Sequence, residues 1–141
     1  MQYTSKHSFM HVIVCVSHVA PSRAPSLISV NSINATTILI VWEDDIPCHL
    51  RNGHIMGFSL RVNLYYNYYR YDDDDELLQV MFNTSSQEGE QHTFNLTWLS
   101  PGIEYSVSVA AVNSVGQVGG YSSESTIQQL LSYNGKYMII R

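Results

Sequence analysis

Phe94-Asn95-Leu96-Thr97-Trp98-Leu99-Ser100-Pro101-Gly102-Ile103-Glu104-Tyr105-Ser106-Val107-Ser108-Val109-Ala110-Ala111-Val112-Asn113-Ser114-Val115-Gly116 is the stretch from which the fold of this 141-residue chain is read. Alternation is strict from Tyr105 to Ala111, and a Pro-Gly turn precedes it. Two strands joined by a tight corner follow from that pattern. Tyr105, Val107, Val109 and Ala111 share one face, and Ser106, Ser108 and Ala110 share the other, as expected of a half-buried antiparallel strand. A Tyr at the head of such a strand can send its ring into the core while its hydroxyl bonds back to the chain several residues upstream. Here that point falls near Leu99.

Thr36 to Glu43 repeats the period of two. It puts Ile38, Ile40 and Trp42 on one face and Thr37, Leu39 and Val41 on the other, with the β-branched content that suits a pleated strand. Trp42 is expected at the centre of the core. Leu27, Val30 and Ile33 precede it as a first strand, with a turn through Asn34 and Ala35. After Asp44 the chain is expected to loop through Cys48 and His49 to the turn signal Asn52-Gly53. Ile55, Phe58, Leu60 and Val62 make the next strand. Leu78, Val80 and Phe82 alternate in another, with Thr84 to Gln91 as a polar turn. After a flexible Gly116–Gly120 loop, Tyr121 to Leu130 closes the set.

The run Leu99-x-Pro101-x-x-x-Tyr105-x-Val107-x-Val109-x-Ala111-x-Asn113-x-x-Gly116 resembles the E–F hairpin of a fibronectin type III domain. Trp42 stands where that family carries a Trp, and Gly57-Phe58 stand in its Gly-Tyr positions. The resemblance covers about residues 26–130. It implies an all-β, seven-stranded antiparallel Greek-key sandwich with Trp42, Phe58, Leu99 and Tyr105 as structural core, serving as a non-catalytic protein-binding module. Cell-surface or secreted adhesion and receptor proteins are its usual setting. A passive spacer, or an accessory domain of a larger receptor phosphatase or kinase, are the alternatives. Trp98 departs from the family, which favours a small or polar residue there, and so does the insertion from Tyr65 to Glu76.

That insertion reads Tyr65, Tyr66, Asn67, Tyr68, Tyr69, Arg70, Tyr71, then four Asp and a Glu. Tyr65, Tyr66, Tyr68, Tyr69 and Tyr71 are the candidate partner surface, since Tyr combines contact area with a hydrogen bond at low entropy cost. Cross-strand aromatic pairing is the competing reading. The sequons Asn34-Ala35-Thr36, Asn83-Thr84-Ser85 and Asn95-Leu96-Thr97 make Asn34, Asn83 and Asn95 candidates for N-glycosylation. Asn34 and Asn83 are expected in turns and Asn95 on an outer face.

Composition narrows the function. A formal charge of −5, with seven Lys and Arg scattered along the chain, argues against a nucleic-acid partner, which needs clustered cations. Partners are expected to be proteins or neighbouring domains. Nucleophile elbow, phosphate-cradling Gly-rich loop and His-Glu-x-x-His are all absent, so no enzyme and no cofactor is expected. Six histidines lack ligand spacing. Cys48, His49 and His54 share a loop, but zinc there would need a fourth ligand. The run Asp72 to Glu76 lacks the spacers and glycine turn that calcium requires. Asn113 to Gly120 sits where some family members present Arg-Gly-Asp, and that tripeptide does not occur.

Cys15 and Cys48 imply no disulfide scaffold, and spacing does not decide whether they pair. Phe9 to Val16 is shorter than the roughly 20 apolar residues of a membrane span. Residues 1–25 read either as a signal-like segment or as the last strand of a preceding repeat with its Pro-rich linker, a disordered tail being the simpler alternative. Residues 131–141 form a tail in which Asn134-Gly135 reads as a hairpin turn or a frayed end.

Overall fold

In the computed structural model, which describes residues 19–64, 76–128, 131–133 and 136–138, the second strand carries the centre of the core. Strand β1 (Ser26–Asn34) turns through residues 35–36 into β2 (Thr37–Glu43), on which Ile38, Ile40 and Trp42 are fully buried. A single helical turn, α1 (Cys48–Arg51), interrupts the expected loop. It stops because Asn52 and Gly53 take positive φ of 54° and 123°, a region these two residue types enter most readily. Then come β3 (Ile55–Leu64), β4 (Glu76–Ser86), β5 (Gln91–Leu96), β6 (Glu104–Asn113) and β7 (Ser125–Gln128). A short antiparallel pair follows, β8 (Leu131–Tyr133) with β9 (Lys136–Met138).

The first seven strands form two antiparallel sheets, in the order β1-β2-β5 and β4-β3-β6-β7. Their inner faces meet around Trp42. Its ring lies edge-on to Phe58 of the opposite sheet at 5.4 Å and to Phe82 at 5.6 Å, and stacks on His92 at 5.7 Å. Phe58, Leu60, Val62, Val107 and Val109 complete the layer, all fully buried. Ile55 and Phe58 are both buried despite their odd spacing, because the β3 register shifts between Ile55 and Gly57; a bulge there restores the alternation. Trp42, Phe58, Leu99 and Tyr105 are all buried.

Four expectations need correction. Strands β5 and β6 do not pair as a hairpin. They lie in different sheets, and residues 97–103 cross between them. The face of β6 carrying Ser106, Ser108 and Ala110 is buried as well. β6 runs between two neighbours and its small side chains are overlain. Arg61, the register partner of Ser108, places its guanidinium 3.8 Å from the centroid of Tyr121. The Tyr121 hydroxyl bonds Ser59 Oγ at 2.7 Å. Strand β4 continues through Thr84 to Ser86, where the sequence predicts a turn, because Ser86 finds its partner in Ile55. Strand β7 begins only at Ser125; before it, residues 118–122 follow β6 through single hydrogen bonds such as Ser122 N to Val109 O, 2.8 Å.

Candidate functional site

Tyr105, the second residue of β6, has its side chain buried, and its hydroxyl accepts a hydrogen bond from Ser100 N at 2.9 Å. Leu99, also buried, is tied by its own N–H to Thr36 O at 3.0 Å. The crossing between the sheets is thus held at both residues, and the upstream anchor expected for Tyr105 falls one residue beyond Leu99.

At the opposite end of β2 lies a dense polar cluster. Asp44 is fully buried, and Arg51 on α1 donates to both of its oxygens, at 2.8 and 2.7 Å. The same guanidinium donates to Ile46 O and Ser86 O, each at 2.8 Å. Ser86 Oγ donates to Asp44 Oδ2 at 2.6 Å and lies 2.9 Å from His92 Nε2. A serine beside a histidine invites a nucleophilic reading, but the proton of Ser86 is directed at Asp44. His92 Nε2 is then the donor to Ser86 Oγ, the reverse of what a general base requires. The charge of Arg51 is likewise satisfied internally. Sequence reasoning missed this cluster, placing Asp44 in a loop and Ser86 in a turn.

The segment before β1 is bound to the same end of the sandwich. Asn113, buried at the end of β6, donates from Nδ2 to Val19 O at 2.6 Å and to Asn52 O at 3.0 Å. Asn52 Nδ2 reaches Ala20 O at 2.7 Å and Ser22 Oγ at 2.8 Å, and Ser22 N donates to Leu50 O at 2.7 Å. Gly119 approaches so closely that a Cβ there would stand 2.7 Å from Pro21 O. The loop after β6 is pinned too: Gln117 N bonds Asn113 Oδ1 and Asn113 N bonds Gln117 O. Residues read as a linker and as a flexible loop are therefore parts of one clamp.

Cys48 is disulfide-bonded. The other cysteine of the sequence, Cys15, lies outside the described residues. A sulfur committed in this way offers no thiolate to the zinc site considered with His49 and His54. Among the described residues, no group of three His, Cys, Asp or Glu is placed to hold a metal, and no helix is long and apolar enough to cross a membrane.

The candidate glycan sites distribute as follows. Asn95 is exposed on β5, an edge strand; Asn83 is exposed within β4, not in the expected turn; Asn34 is half-buried at the end of β1. Asn34 Oδ1 accepts from Thr36 N at 3.0 Å and Thr36 Oγ1 at 3.2 Å. Trp98 stands 95% exposed with a φ of 68°. It borders a cleft of about 410 Å³ lined by Leu78 and residues 94–99. Tyr65, Tyr66, Tyr68, Tyr69 and Tyr71, the candidate partner surface, lie outside the described residues.

The model of the fibronectin type III domain family matches residues 23–128. The chain belongs to the fibronectin type III family. As a domain of that family it is a non-catalytic module. Among curated relatives it is 29% identical over 105 residues to the cell adhesion molecule Dscam1 of Drosophila melanogaster, covering 74% of this chain and 5% of that protein. It is 31% identical over 96 residues to human contactin-3, covering 68% and 8%. To the proto-oncogene tyrosine-protein kinase ROS of Mus musculus it is 29% identical over 108 residues, covering 76% and 4%. This fibronectin type III chain thus spans less than a tenth of the length of each of these relatives. In fold it is similar to the third fibronectin III domain of the human KIAA0343 protein, with a TM-score of 0.63 at 19% identity, covering 85% of this chain and 91% of that one. The corresponding values for an fn3 domain of human contactin 1 are 0.58, 20%, 83% and 85%.

Proposed function

We propose that this chain is a protein-binding module of a cell-surface or secreted adhesion or receptor protein. One observation carries the reading: the buried cluster of Asp44, Arg51, Ser86 and His92, the arrangement among the described residues that most invites a catalytic reading, is bonded to itself inside the fold. What the domain offers outward is surface. The likeness to Dscam1 and contactin-3 supports an adhesion setting. A disulfide-bonded Cys48 supports an oxidising, extracellular one, and Asn83 and Asn95 are accessible to glycosylation. The partner surface is assigned to Tyr65, Tyr66, Tyr68, Tyr69 and Tyr71, in the segment that joins β3 to β4.

The test is binding of the labelled chain to intact cells, compared with a chain in which Tyr65, Tyr66, Tyr68 and Tyr69 are changed to Ser. A recognition surface predicts lost binding with an unchanged near-ultraviolet circular dichroism spectrum. Equal binding by both chains would overturn the assignment. Staining of unpermeabilised cells with an antibody against this domain tests the location separately.

A second reading, a spacer that sets the angle between neighbours, is favoured by the clamp on residues 19–22. A preceding domain attached through a segment bonded to Asn52 and Asn113 would have restricted freedom. The spacer reading predicts that the tyrosine changes are without effect, whereas Asn113→Ala broadens the interdomain angle seen by small-angle scattering of a tandem pair. The likeness to the ROS kinase supports a placement of the same module within a larger receptor enzyme.

A further inference from the structure

Two unfavourable features coincide at Trp98. The residue is 95% exposed, and its φ of 68° lies in the left-handed region that bulky side chains rarely enter. The same residue lines an apolar cleft. Leu78, Phe94, Leu96 and Leu99 supply the apolar part of its lining. At about 410 Å³ it falls within the size range of small-molecule sites. Asn95, which opens the sequon Asn95-Leu96-Thr97, lines the same cleft, and both Asn95 and Thr97 are exposed.

We infer that Asn95 carries an N-linked glycan whose first N-acetylglucosamine lies at the rim of the cleft with one face on the Trp98 indole. The sugar presents a face of C–H bonds, apolar and slightly positive, which complements the negative face of an aromatic ring. Its hydroxyls remain in water, so no polar group is buried without a partner. In the attachment step the Asn95 amide nitrogen bonds C1 of the sugar, and the bond from C1 to the diphosphate of a lipid-linked oligosaccharide donor breaks. The diphosphate leaves with the electron pair, and the amide proton passes to a base of the transferase. Neither Asn34 nor Asn83 lines the cleft.

The inference rests on the extracellular location proposed above, and its test forces export so that the two can fail separately. The chain is secreted from mammalian cells behind a heterologous cleavable signal sequence. Occupancy of Asn95 is measured by glycopeptide mass spectrometry, and the tryptophan emission is quenched with acrylamide before and after N-glycosidase treatment. Trp42 is fully buried, so the quenching reports on Trp98. The glycosylated chain should show a quenching constant about half that of the Asn95→Gln and Thr97→Ala chains, because the sugar covers one of two ring faces. Enzymatic removal of the sugar should raise it to the level of those variants, and the combined Asn34→Gln, Asn83→Gln chain should match the glycosylated parent. An unoccupied Asn95, or equal quenching with and without its sugar, would overturn the inference.

Discussion

Arg51 lays its terminal nitrogens against the two carboxylate oxygens of Asp44, at 2.8 and 2.7 Å, where the carboxylate has no contact with solvent. Coulomb attraction alone does not make such a pair stabilising, because both ions have left water. It persists because Ile46 O, Ser86 O and the Ser86 hydroxyl satisfy the remaining donors and acceptors. Arg51→Leu strands a buried carboxylate and should cost about 3–5 kcal/mol. Arg51→Lys keeps the charge but cannot reach four acceptors from one nitrogen, and should lose roughly 1–3 kcal/mol. The Arg23–Asp45 pair, at 3.1 Å and with Arg23 half in solvent, is the control: Arg23→Ala should change stability by less than about 1 kcal/mol. Urea unfolding ranks the three, and the opposite ranking would remove the buried pair from its structural role.

Tyr105→Phe keeps the ring in the core and deletes only the acceptor for Ser100 N. Ser100 is at the surface, so water can take over part of the lost bond, and the cost should be near 1 kcal/mol, within the range of about 0.5–1.5 for a single hydrogen bond. Tyr105→Ala also opens a cavity beneath the crossing and should cost about 3–5 kcal/mol. Calorimetric unfolding of both variants separates the hydroxyl from the ring. Equal losses would mean that the anchor, not the packing, holds β6.

Gly57 sits where β3 meets β4, and a Cβ added there would stand 2.9 Å from Phe82 O. Backbone, not a flexible side chain, is the obstacle. Gly57→Ala must therefore push β4 away, which disturbs the contact of Phe82 with Trp42 and should cost roughly 1–3 kcal/mol, as overpacking does. Loss of near-ultraviolet circular dichroism signal with retained far-ultraviolet signal is the expected signature. An unperturbed variant would show that the two strands can separate freely here.

Asn113→Ala removes the donor to Val19 O and Asn52 O together with the acceptor for Gln117 N. Because Ser22 N is held separately by Leu50 O, the loss should be graded. Amide exchange at Gln117 should accelerate most, exchange at Ser22 should rise less, and global stability should fall by about 1–3 kcal/mol. Unchanged exchange at Gln117 would show that the loop after β6 is held by other contacts.

The two alternating runs, Ile38-Ile40-Trp42 and Tyr105 to Ala111, were legible because strand periodicity is a local property: side chains two apart share a face whatever the partner strand. Together with the Tyr105 corner they determined the all-β class, the core residues and the family to which the chain belongs. Tertiary structure alone decided the rest. Asp44, Arg51, Ser86 and His92 come from four segments, and nothing in their sequence neighbourhoods signals that they meet. Polarity misleads at Thr84, Ser85 and Ser86 for a related reason: polar residues enter a strand when a neighbour such as Ile55 offers backbone partners. The second buried face of β6 depends on Tyr121 and Arg61 arriving over it. The exposure of Trp98 depends on a backbone torsion that an apolar side chain does not advertise. Periodicity is written along the chain, whereas satisfaction of a buried charge and the covering of a face are settled between segments far apart in it.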